Sequence, residues 1–85
     1  MTRFFVDLSS TEAVKLLIKH TAHMPCEVDV LSGAYLVDAK SIMGILSLDR
    51  AAPICVQVHG DEATASTLRD ALTPLITHND VEDSL

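Results

Sequence analysis

Asp38-Ala39-Lys40-Ser41-Ile42-Met43-Gly44-Ile45-Leu46-Ser47-Leu48 reads as the end of a strand, a serine at a helix start and about two helical turns. Ser41 is the expected N-cap, because its hydroxyl can accept from a backbone N–H left free in the first turn. Apolar residues then crowd both sides of a very short helix. Ile45 and Leu48 form one stripe at i, i+3, whereas Ile42, Met43 and Leu46 form another. A helix of this length lying on a sheet cannot bury both, so one stripe is expected to face water. The residues alone leave two readings open. The segment is an amphipathic connector whose serine only caps, or it is a docking surface regulated through Ser41, where a phosphate would meet the helix dipole and free amides.

Outward from this segment the chain alternates between strand and helix periods. Arg3 to Leu8 places Phe4, Val6 and Leu8 on one face and Arg3, Phe5 and Asp7 on the other, a strand pattern. Ser9-Ser10-Thr11-Glu12 has the S-x-x-E form of a capping box, and Ala13, Val14, Leu16, Leu17 and Thr21 recur at helical spacing to about Ala22. Lys15 and Lys19 mark the wet side of that helix. Cys26, Val28 and Val30 alternate with Glu27 and Asp29; Ser32-Gly33 makes a tight turn; Tyr35, Val37 and Ala39 continue as the return strand of a hairpin. Beyond the central segment, Ile54, Val56 and Val58 alternate with Cys55, Gln57 and His59. Gly60-Asp61 opens a last helix with Ala65, Leu68, Leu72 and Leu75 on its apolar stripe, and Pro74 near its end is expected to kink or terminate it. The order βαββαβα predicts a two-layer α/β sandwich: a four-stranded antiparallel sheet with three helices on one face. Its expected core is Phe4, Val6, Leu16, Leu17, Val28, Val30, Val37, Ile45, Val56, Val58, Leu68 and Leu72.

Composition limits the alternatives. Eighty-five residues make one domain, expected to end in an acidic tail over about 78–85, with 48% hydrophobic content to supply a core. Two cysteines, Cys26 and Cys55, without CxxC or ligand spacing argue for free thiols in a reducing cytosol, against a disulfide scaffold or a zinc site. Asp7 interrupts the N-terminal apolar run, so no signal peptide is expected, and no stretch has the apolar length of a membrane span. The net charge of −6 and the lack of a basic cluster argue against direct nucleic-acid binding.

Lys40-Ser41-Ile42-Met43-Gly44, followed by Leu46-Ser47-Leu48, resembles the regulatory-serine segment of HPr, the small phosphocarrier protein of the bacterial sugar phosphotransferase system, and of its homologue Crh. The resemblance extends over nearly the whole chain, through the Gly60-Asp61-Glu62 turn. It implies the HPr fold, an open-faced β-sandwich, in agreement with the periodicity. The resemblance further implies that Ser41 is a target of an HPr kinase, and that Lys40, Ile42, Met43 and Leu46 form a patch for a protein partner, in the family a LacI-type catabolite regulator.

HPr carries its phosphoryl group on a histidine within a His-x-Arg-Pro motif at the start of the first helix. There the helix amides and the arginine stabilise the phosphate charge. By the family's spacing from Ser41, the histidine position falls on Ser10, the arginine on Glu12 and the proline on Ala13. Glu12 would repel a phosphate, and a serine ester lacks the transfer potential of a phosphoimidazole. The chain thus sits nearer Crh, which also lacks the histidine, although Crh-like proteins tend to keep the arginine.

The histidines lie elsewhere. His20 and His23 are expected at the C-terminal end of the first helix, where imidazolium suits the dipole, and no neighbouring ligand set makes them a metal site. His59 and His78 read as solvated, and Cys55 as a small strand residue with no base or cation beside it. No cofactor or metal is expected. The expected role is therefore a cytoplasmic regulatory binding protein of carbon catabolite repression, not an enzyme. Two others compete with it: a phosphocarrier with an unconventional acceptor, and an orphan HPr-like domain whose patch serves weak homodimerisation, with Ser41 only a cap.

Overall fold

A computed structural model of the chain describes residues 1–77. The acidic tail expected over 78–85, with His78, lies outside the described residues. The elements follow the expected order: β1 (Thr2–Val6), α1 (Thr11–Thr21), β2 (Val28–Ser32), β3 (Tyr35–Asp38), α2 (Ile42–Leu46), β4 (Ile54–Val58) and α3 (Glu62–Ala71), then a 3-10 turn over Thr73–Leu75. The strands form one antiparallel sheet in the order β1-β4-β2-β3. Because side chains alternate across a strand, Phe4, Val6, Val28, Val30, Ile54, Val56 and Val58 share the face beneath the helices, and all are buried. Each such side chain contributes on the order of 1.5–3 kcal/mol when removed from water. Val14 and Leu17 of α1, Ile45 of α2, and Ala65, Leu68 and Leu72 at α3 pack into the same core, with Leu8, Ala13, Ala39 and Leu48.

Leu16 and Val37 were expected in that core but are only half-buried. Leu16 lies at the margin of the α1 stripe, and β3 is an edge strand that α2 covers incompletely. The turn between β2 and β3 has Gly33 and Ala34 at its centre, with Ser32 paired to Tyr35. Gly33 has φ +59°, the positive value that a primed hairpin turn requires at its first central position. Ala39 lies just beyond β3, its amide still bonded to Val28 O of β2 at 2.9 Å and its side chain buried. Gln57 alternates outward as expected, yet it is 7% exposed, because β4 is flanked by β1 and β2.

The S-x-x-E box does not form as written. Ser9 donates its backbone N–H to Asp7 Oδ1 at 2.9 Å, and the N-cap is Ser10, whose hydroxyl accepts from Ala13 N at 3.1 Å. The Asx turn at Asp7 takes up Ser9 and moves the helix start along by one residue. Pro74 falls within the 3-10 turn and ends α3 as expected. The chain then returns to the β1 edge, where Ile76 bridges Val6 and Thr77 N–H donates to Phe5 O at 3.0 Å. Among the described residues no helix is long and apolar enough to cross a membrane.

Candidate functional site

Residues 38–41 are pinned by hydrogen bonds before α2 begins. Ala39 N–H donates to Val28 O at 2.9 Å, Lys40 N–H to Asp38 Oδ1 at 2.8 Å, and Ser41 N–H to Asp38 O at 2.9 Å. The Ala39 carbonyl accepts from the Thr21 hydroxyl at 3.0 Å. Thr21 is fully buried at the end of α1, so this bond ties the last turn of one helix to the approach of the next. Sequence reasoning placed Thr21 on the apolar stripe without a partner. The available signal was a hydroxyl at a core position, which requires an acceptor.

Ser41 is the N-cap of α2, with extended backbone (φ −102°, ψ 101°), and its hydroxyl accepts from Gly44 N at 3.1 Å. The amides of Ile42 and Met43, at the first two helical positions, have no intrahelical acceptor. A helix of five residues is too short to be stable alone, so packing and capping decide its existence. At its far end the Ser47 hydroxyl donates to Gly44 O at 2.6 Å. A Cβ on Gly44 would lie 3.1 Å from Ser41 Oγ and 3.2 Å from Val37 Cβ, so the glycine lets α2 lie close to β3 and leaves room for the serine hydroxyl.

The two apolar stripes separate as the sequence predicts. Ile45 is fully buried and Leu48 is 9% exposed, whereas Ile42, Met43 and Leu46 are 43%, 77% and 42% exposed. Lys40 and Ser41 are exposed beside them. The helix thus presents three apolar side chains to solvent, with an exposed hydroxyl at its start and no acidic residue in its first turn.

The start of α1 is a different environment. Ser10 is exposed and its hydroxyl is engaged as the cap; Glu12 lies in the first turn; Ala13 is buried. Arg50, from the loop after α2, reaches Leu8 O with its Nη1 at 2.8 Å, so that guanidinium is committed to a carbonyl of the β1–α1 connection. Among the described residues the histidines are His20, His23 and His59, none of them at this helix start. His20 lies in the last turn of α1 and His23 just past its C-cap. His59, read from sequence as solvated, is exposed and also meets Asp29, with its Nε2 2.8 Å from Oδ2. The pairing becomes visible only once the register sets β4 beside β2. Cys26 and Cys55 are not joined in a disulfide, and both are partly buried.

No protein-family model and no curated protein sequence matches the chain. Solved structures do match in fold, among them these two. HPr-C-His from Thermoanaerobacter tengcongensis gives a TM-score of 0.67 at 21% identity, over 86% of this chain and 92% of that one. The phosphocarrier protein HPr from Bacillus anthracis str. Ames gives 0.64 at 22% identity, over 88% and 93%. The architecture is therefore HPr-like: the chain folds as the open-faced α/β sandwich of these two proteins.

Proposed function

We propose that this chain is a regulatory protein-binding domain related to the bacterial sugar phosphotransferase system, acting through the α2 surface and not as a phosphocarrier. The observation that carries this reading is the exposed Ile42, Met43 and Leu46 face beside the exposed Ser41. Singly exposed apolar residues are ordinary, but three on one helix, flanked by a modifiable hydroxyl, form a surface whose docking a charge can control. Lys40 extends this patch at its N-terminal side. The HPr-like fold supports a protein partner over an enzymatic role. By resemblance, the modifying enzyme is an HPr kinase and the partner a LacI-type catabolite regulator, both met in the cytoplasm.

Phosphorylation of Ser41 adds about −1.5 to −2 charges at a helix N-terminus, where the dipole contributes a favourable ~0.3–1 kcal/mol. The fold tolerates that charge, and its effect falls on partners. A dianion beside an apolar surface repels an acidic partner and offers a bidentate handle to an arginine-bearing one. The α1 start supports the negative half of the proposal: by the family's spacing from Ser41, Ser10 falls at the carrier-histidine position and Glu12 at that of its arginine. Intact mass after incubation with an HPr kinase and ATP is expected to show one phosphate, absent in Ser41→Ala. Incubation with the general phosphotransferase enzyme and phosphoenolpyruvate is expected to add none. Labelling that persists in Ser41→Ala would overturn the site assignment, and acid-labile phosphate on a histidine would overturn the non-carrier reading.

A further inference from the structure

The face of the sheet opposite the helices carries a second, unrelated pattern. The strand register aligns Phe5, Cys55, Leu31 and Leu36 in one row across all four strands. The first three are partly buried and Leu36, on the β3 edge, is 57% exposed. Alongside runs a polar row in the same strand order: Arg3, Gln57, Asp29 and Asp38. Its charges are segregated, with a cation on one edge strand and two carboxylates at the opposite side. Asp29 and Asp38 stand directly opposite each other; His59 meets Asp29 and the Lys40 amide donates to Asp38, but among the described residues no cationic side chain reaches Asp38. Strand spacing places Arg3 roughly 10 Å from Asp29 and roughly 14 Å from Asp38. Among the described residues Arg3 has no carboxylate within ion-pair distance.

We propose that this open face binds a second copy of the chain about a twofold axis parallel to the strands. That rotation lays β1 of one copy over β3 of the other while keeping each row over its like. Phe5 then packs on the partner's Leu36 and Cys55 on the partner's Leu31. Arg3 meets the partner's Asp38, the carboxylate it cannot reach within its own chain, and Gln57 meets the partner's Asp29. The same twofold repeats each contact in the opposite sense, as an isologous interface requires. Sheets packed in this way lie about 10 Å apart with strand directions within about 30°. A twofold across the strands instead would leave both carboxylates facing the Gly33–Ala34 turn, without a cation. The face spans only about 19 Å by 15 Å from strand spacing and rise, well short of the ~800 Å² per partner of a standard interface. The dimer is accordingly weak and concentration-dependent. It leaves α2 free, because the helices lie on the other side of the sheet, and so stands or falls separately from the docking role.

Sedimentation equilibrium of the full chain tests it, from about 10 μM to about 1 mM, a range that brackets weak association. A monomer–dimer equilibrium is expected, weakened at least about tenfold by Leu36→Lys, with circular dichroism unchanged because Leu36 is an exposed edge residue. Arg3→Asp and Asp38→Arg are each expected to weaken association, and the double variant to regain it by exchanging the two signs. A chain that stays monomeric throughout overturns the proposal. So does association that survives Leu36→Lys but is lost in Met43→Asp, which would move the contact to α2, or a double variant no better than either single one.

Discussion

The starts of α1 and α2 are built alike and surrounded differently. Ser10 and Ser41 both cap in extended conformation with φ −102°, and each hydroxyl accepts from the amide three residues on at 3.1 Å. Around Ser10 the next two residues, Thr11 and Glu12, face solvent and are polar, one of them an acid. Around Ser41 the first turn holds no acid, and the next residues, Ile42 and Met43, face solvent. A shared cap hydrogen bond therefore says little about function. Its surroundings decide whether a serine is only a cap or the edge of a surface that a partner can read.

The largest test of that contrast lies within α2 itself. Ile45→Ala removes a fully buried side chain and is expected to cost about 2–5 kcal/mol in urea unfolding. Met43→Asp is expected to stay within about 0.5 kcal/mol of the parent while abolishing partner capture, since Met43 is 77% exposed. Unfolding by Met43→Asp would return that residue to the core and remove the basis for the docking surface. Next in size is Thr21→Val, which leaves the Ala39 carbonyl without its hydroxyl donor at a cost of about 1–3 kcal/mol. It should also loosen residues 38–41, read as faster amide exchange at Ala39 and Ser41.

The caps themselves come next. Ser10→Ala and Ser41→Ala are each expected to cost up to about 1 kcal/mol, equal within error, because the lost bond is the same. Only the second should change kinase labelling; a large inequality in stability would break the structural half of the comparison. The third helix start supplies the smallest effect. Asp61 caps α3, and hydrogen bonds from the Thr64 hydroxyl and amide hold its carboxyl below the ordinary aspartate range. Asp7 is lowered in the same way by Ser9. A depressed folded-state value means stability present above the unfolded value and lost as pH falls through the folded one, here below about pH 4. Asp61→Asn should flatten that acid limb, whereas the two serine caps are indifferent to pH. Urea midpoints from pH 7 to pH 3 read the difference.

What the sequence disclosed follows from which interactions are local. The split of α2 into a buried and an exposed stripe was legible because five helical residues on a sheet leave no room for two buried faces. The strand alternation of β1, β2 and β4 was legible for the same short-range reason. The α1 cap was misplaced by one residue, since Asp7 competes for the Ser9 amide and the S-x-x-E spacing carries no sign of that competition. Thr21 to Ala39 and His59 to Asp29 span 18 and 30 positions, and neither is visible before the sheet is assembled. The apolar row across the open face was hidden likewise: Phe5, Cys55, Leu31 and Leu36 become neighbours only through register.

The strand order has a consequence for how the chain reaches this state. β2, β3 and α2 lie within residues 28–46, and the hairpin between them closes over two residues. β1 must instead find β4 across roughly fifty residues, for which the length-dependent loop-closure entropy is about 3.5 kcal/mol. Folding speed is then governed by that distant pairing, while the platform for Ser41 and Met43 belongs to the fast, local part of the landscape. Excursions that peel β1 from the sheet need not dismantle α2, so the docking surface can outlast the closure of the fold that carries it.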